Sequence, residues 1–153
     1  MFKGRITVLA ASVFCVAAMF TLFGRMQLMA VEPGPVDKDA PKEFTTTESG
    51  LKYRVLRKGT GKKPTARDTV TVHYKGWLDN GKEFDSSYAR GETISFPLNG
   101  VIKGWTEGMQ LVGEGGMIEL EIPANLGYGA AGAGGVIPGG ATLHFIVELM
   151  KVK

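Results

Sequence analysis

The sequence predicts an α+β domain, a twisted antiparallel β-sheet wrapped around one short α-helix. Two observations carry this. Four stretches alternate apolar and polar residues with a period of two, the pattern of strands with one buried face. A single stretch carries apolar residues at spacings of three and four, the pattern of a helix with one buried stripe. The chain has 153 residues, 44% hydrophobic and 22% charged. That suits one globular domain and excludes a disordered or collagen-like chain.

The N-terminus stands apart. Ile6 to Gly24 is a run of 19 residues without a charge, preceded by Lys3 and Arg5. Such a run would expose too much apolar surface on a soluble domain. It reads as a secretory signal that is removed, or as an anchor that keeps residues 6–24 in the membrane, and either reading implies export. Residues 1–30 are therefore assigned to a signal peptide or membrane anchor. The one cysteine, Cys15, lies inside this run. The rest of the chain thus has no disulfide, thiolate nucleophile or cysteine metal site.

Residues 31–43 contain Pro33, Pro35 and Pro41 among charged residues, and predict a solvated, semi-extended linker. Three of the 18 basic residues (Lys3, Arg5 and Arg25) precede Glu32, the first acidic one. The other 15 balance the 15 acidic residues. A neutral body has no overall field to attract nucleic acid, so that class of partner is excluded.

The folded domain is expected over 44–153. Leu51, Tyr53 and Val55 alternate with Lys52 and Arg54 to give a first strand. Val70, Val72 and Tyr74 alternate with Thr71, His73 and Lys75 to give a second. Asp79-Asn80-Gly81 follows, and Asn-Gly marks a hairpin turn. Ile102, Trp105, Met109 and Val112 form the helical stretch. It holds Gly104 and Gly108, so packing must stabilise it rather than propensity. Ile118, Leu120 and Ile122 alternate with two glutamates. Leu143, Phe145, Val147 and Leu149 alternate with His144, Ile146 and Glu148.

Conventional catalysts are poorly supported. His73 and His144 fall opposite the apolar faces of their strands, as solvent-facing or cross-strand residues. Ser86 and Ser87 lack a strand–turn–helix serine elbow. No histidine pair has metal spacing, and no metal or cofactor is expected. The glycine-rich stretch 127–140 lacks the lysine and hydroxyl residue of a phosphate loop, and reads as a tight, exposed loop with positive φ angles. What remains is aromatic. Tyr74, Phe84, Phe96, Trp105 and Phe145 fall on or beside inward faces, either as ordinary core or as the wall of a pocket. Asp85 and Tyr128 set polar groups beside loops, and apolar walls with a few placed polar groups describe a small-ligand or peptide pocket.

Three segments together resemble a known family. They are VTVHYKGWLDNGKEFDSS (70–87), VIKGWTEGMQLVGEGG (101–116) and LGYGAAGAGGVIPGGATLHFIVEL (126–149), and they resemble the FKBP-type peptidyl-prolyl isomerases in the same order. The lead-in TTTESGLKYRVLRKGTG is similar to that of exported bacterial members. The resemblance implies an isomerase of X-Pro bonds, with proline-containing polypeptides as substrates and macrolides as inhibitors. A non-catalytic peptide-binding chaperone on the same domain is the alternative it leaves.

It also implies a pocket lined by Tyr74, Phe84, Asp85, Phe96, Val101, Ile102, Trp105, Tyr128 and Phe145. Trp105 would be the floor. The Ile102 N–H and the Tyr128 hydroxyl would hold substrate carbonyls. Asp85 would either orient substrate polarity or tie a turn through Tyr74 and Arg90. Ile94 replaces a frequent aromatic, Ala133 a frequent histidine, and the link Pro97-Leu98-Asn99-Gly100 is short. With no long helical arm between Val31 and Phe44, a monomer is expected.

Overall fold

The computed structural model describes residues 30–153. The apolar run 6–24, Cys15 and the expected signal or anchor lie outside them. No helix among the described residues is long and apolar enough to cross a membrane.

Seven strands form one antiparallel sheet. They are β1 (Thr45–Thr46), β2 (Lys52–Arg57), β3 (Thr69–Leu78), β4 (Glu83–Ser86), β5 (Ile94–Pro97), β6 (Met117–Ile122) and β7 (Leu143–Val152). Their order is β1-β2-β6-β7-β3-β4, with β5 also paired to β3. β3 therefore shares one edge between two partners. β5 pairs with Thr69–Val72, and β4 pairs with Lys75–Trp77 beyond it. The turn at Asp79-Asn80-Gly81 joins β3 to β4 as expected. Gly81 has φ +79° there, and the Leu78 N–H closes the turn on the Lys82 carbonyl at 3.0 Å.

The predicted alternation sets the core. Val70 and Val72 of β3, Ile118, Leu120 and Ile122 of β6, and Leu143, Val147 and Leu149 of β7 are all fully buried. Burial of that apolar face is the main favourable term for the sheet. The helix α2 (Lys103–Gly108) lies against it. Its two glycines have a packing reason. A Cβ on Gly104 would stand 2.5 Å from Ile122, and one on Gly108 would stand 2.6 Å from Leu120. Only bare backbone lets the helix approach β6 so closely.

The helix is shorter than the spacing predicts. It begins after Ile102 and tightens at Met109–Leu111 into a 3₁₀ turn, and Val112 is already extended. The tightened turn keeps Met109 and Val112 buried.

Two further differences matter below. A second, one-turn helix α1 (Ser87–Arg90) follows β4, capped by the Ser86 hydroxyl and ended by Gly91 at φ +71°. Four residues are too few to show a helical period. Residues 31–43 belong to no helix or strand and turn at Lys38-Asp39, and they are not simply solvated. The Val31 N–H donates to the Tyr88 carbonyl at 3.1 Å, and the Asp37 N–H donates to the Leu56 carbonyl at 2.8 Å. The Arg57 guanidinium donates to the Pro35 carbonyl. The segment is a strap bonded along the sheet, because its backbone groups find protein partners there in place of water.

Candidate active site

β3 turns Tyr74 inward, and the next inward position is Gly76. A Cβ there would meet Phe84 and Phe145 at 2.7 Å, so glycine lets these two rings close in. Trp105 comes up from α2 beneath them and is almost completely buried. Phe145 stands edge-on to Phe84 at 5.5 Å. Tyr74 packs edge-on against Trp105, and Phe96 of β5 meets Trp105 at 5.3 Å and 60°. Aromatic rings prefer such edge-to-face contacts, and interlocked rings resist collapse into the space they enclose.

That space is a cavity of about 430 Å³, lined by Tyr74, Phe84, Asp85, Phe96, Val101, Ile102, Trp105, Tyr128 and Phe145. All nine residues singled out from the sequence meet in it. Gly100 lines it as well, and no sequence signal distinguished Gly100 from the rest of its turn. A second hollow of about 250 Å³ adjoins it, sharing Phe84, Asp85 and Tyr128 and continuing along Ala133, Val136 and Ile137. Tyr128 stands at the rim, 41% exposed.

The polar groups are few and fixed. Ile102 sits at the N-cap of α2, and its N–H has no acceptor among the described residues. The Thr106 hydroxyl donates to the Leu98 carbonyl at 2.5 Å and ties the start of α2 to the turn before it. Asp85 accepts hydrogen bonds from the Tyr74 hydroxyl and the Arg90 guanidinium, and Arg90 also donates to the Tyr74 oxygen at 3.2 Å. Burial alone would raise the Asp85 carboxyl, but bonds from Tyr74 and Arg90 outweigh it and hold it below the usual carboxylate range. Burial, and then the bond to Asp85, push the Tyr74 hydroxyl up. Tyr74 therefore stays a proton donor and Asp85 an anion at neutral pH.

The histidines lie elsewhere, outside the cavity lining. His73 stacks on Tyr88 and bonds Ser87, and His144 stacks on Trp77 and bonds Asp79. The cavity thus offers apolar walls, one held carboxylate, the hydroxyls of Tyr74 and Tyr128, and one backbone donor.

Residues 60–150 match the family model of the FKBP-type peptidyl-prolyl cis-trans isomerases. The chain belongs to that family. It is 54% identical over 112 residues to FkpA, an FKBP-type peptidyl-prolyl cis-trans isomerase of Escherichia coli, covering 73% of this chain and 41% of the relative. It is 48% identical over 130 residues to the 22 kDa FKBP-type isomerase of the same organism, covering 84% of this chain and 63% of the relative.

The crystal structure of Escherichia coli FkpA superposes with a TM-score of 0.71 at 52% identity, over 74% of this chain and 53% of that one. A peptidyl-prolyl isomerase from Pseudomonas syringae pv. tomato superposes with 0.68 at 37% identity, over 74% and 83%. The antiparallel sheet around α2 is thus the FKBP fold. The chain spans less than half the length of FkpA and less than two thirds of the 22 kDa relative.

Proposed function

We propose that this FKBP-type domain is a peptidyl-prolyl cis-trans isomerase that acts on exported, proline-containing polypeptides. The observation that carries this reading is the meeting of all nine chosen residues around one aromatic cavity, in a chain of this family.

Rotation about an X-Pro bond is slow because amide resonance must be lost, with an activation energy of ~20 kcal/mol. The planar amide is the more polar state and water stabilises it through the carbonyl oxygen. The twisted state is less charge-separated. A cup that strips water from the amide therefore binds the twisted state better than the planar one, and differential binding of this kind is catalysis. A 10⁵-fold acceleration needs on the order of 7 kcal/mol. In this reading the proline ring sits on the Trp105 indole. The Ile102 N–H and the Tyr128 hydroxyl donate to the carbonyls on either side, and the Asp85 carboxylate faces the amide. The adjoining hollow along Ala133 and Val136 receives a neighbouring residue of the substrate. No bond to the protein forms, so the reaction asks for no nucleophile.

Export is supported by the charge-free run Ile6–Gly24 after Lys3 and Arg5. Macrolides that present a proline-like ring would compete for the same cup. A monomer is part of the same proposal.

A proline-switch peptide assay tests the proposal. The full chain should accelerate isomerisation, and Tyr128→Ala and Asp85→Ala should each reduce the rate. A chain that binds the peptide without changing its rate is a chaperone instead. Activity that survives both substitutions keeps the enzyme and removes these residue roles.

A further inference from the structure

Glu148 breaks the pattern of its strand. It lies on the outer face of β7, where the alternation predicts a solvated side chain, yet it is only 6% exposed. Burying a carboxylate is costly unless its oxygens are fully bonded, and here three segments supply the donors. Oε1 accepts from the Gly34 N–H of the strap at 2.8 Å and from the Tyr88 hydroxyl of α1 at 2.6 Å. Oε2 accepts from the Arg57 guanidinium of β2 at 2.6 Å.

The helix it holds cannot hold itself, since one turn fixes more backbone than its own bonds repay. Beside the buried Ser87 hydroxyl, which accepts from the Tyr74 N–H at 2.8 Å, its fastening is Tyr88. The ring stacks on His73 at 4.9 Å, the hydroxyl reaches Glu148, and the carbonyl accepts the Val31 N–H. Two residues further on, Arg90 bonds both Asp85 and the Tyr74 hydroxyl in the cavity wall.

We propose that Glu148, which does not line the cavity, is a positioning residue for it. Glu148 and the strap fix Tyr88, Tyr88 together with Ser87 fixes α1, and α1 aims Arg90 at Asp85. The proposal rests on the isomerase reading for its effect on rate, but its geometric half can be read separately.

The test uses the full chain with Glu148→Ala and Tyr88→Phe, each alone and combined with Arg90→Ala. Isomerisation kinetics, thermal unfolding and the Arg90 side-chain N–H resonance are measured for each. Either single substitution should lower kcat/KM about fivefold, as misplacement of a site group does, and should shift the Arg90 resonance. On the Arg90→Ala background neither should cost more than about twofold, because residues acting through one another are not additive. A merely structural role would give the same loss on both backgrounds, which overturns the proposal. So does wild-type kcat/KM with an unmoved Arg90 resonance in Tyr88→Phe, the variant that decides if Glu148→Ala does not fold. If the wild type isomerises nothing, the functional reading fails, and the Arg90 resonance alone decides whether Glu148 positions it.

Discussion

Trp105 and Phe145 meet edge to face beneath the cavity, with ring centroids 5.2 Å apart and planes at 88°. With Tyr74 and Phe96 also against the indole, the floor is held from three sides. Truncation to alanine would remove a buried aromatic at a cost of about 3–5 kcal/mol, and would confuse stability with activity. Trp105→Phe keeps a ring and shortens the floor. Its kcat/KM on a proline peptide should fall about tenfold, as expected when a bound group loses its seating. Unchanged turnover in a folded Trp105→Phe would show that the indole is only core.

Gly76 sets how closely Phe84 and Phe145 approach. A methyl there has no room, with both rings 2.7 Å from its position. Gly76→Ala should therefore displace the two rings and lose about 1–3 kcal/mol, the usual range for overpacking. The displaced rings also reshape the cup, so KM should rise more than stability alone explains. Equilibrium unfolding together with peptide kinetics separates the two effects.

Tyr128 is at the rim and already 41% exposed. Tyr128→Phe should leave stability within about 0.5 kcal/mol of wild type, as surface substitutions do. If the hydroxyl holds a substrate carbonyl, kcat/KM should fall roughly three- to tenfold, the worth of one hydrogen bond. Activity equal to wild type would remove that role.

Four of the seven strands (β2, β3, β6 and β7) and the Asn-Gly turn are legible because burial on one face imposes a period on long segments, and Val70, Ile118 and Phe145 follow it; β1, β4 and β5 have two to four residues, too few to show one. The meeting of distant aromatics was not legible from period alone. Tyr74 and Phe96 could equally have been plain core, and only the family resemblance joined them to Ile102 and Tyr128. α1 was missed because its signals are a single capping serine, Ser86, and a single glycine, Gly91. Glu148 was misplaced for a different reason. Alternation says which side of the sheet a residue faces, but not that residues 31–37 will return to cover that side.

Acid should loosen the strap. Burial raises the Glu148 carboxyl, but hydrogen bonds from Tyr88, Arg57 and Gly34 outweigh it and hold it below its usual range. Asp85 is also held low. A carboxylate whose folded value lies below its unfolded value stabilises the fold above the unfolded value, and that stability is lost as pH falls through the folded value. Melting temperature should therefore be insensitive to these two groups from about pH 8 to 5, and should drop below about pH 4, where unfolded carboxylates begin to bind protons. The Asp85 side chain is 40% exposed and that of Glu148 is 8% exposed, so solvent screens the Asp85 share more strongly. Glu148→Gln should consequently flatten the acid limb of the stability profile more than Asp85→Asn does. Thermal unfolding of the three proteins between pH 8 and pH 2.5 measures this directly. An acid limb in Glu148→Gln as steep as that of wild type would mean that the strap is held by its backbone bonds, not by the buried carboxylate.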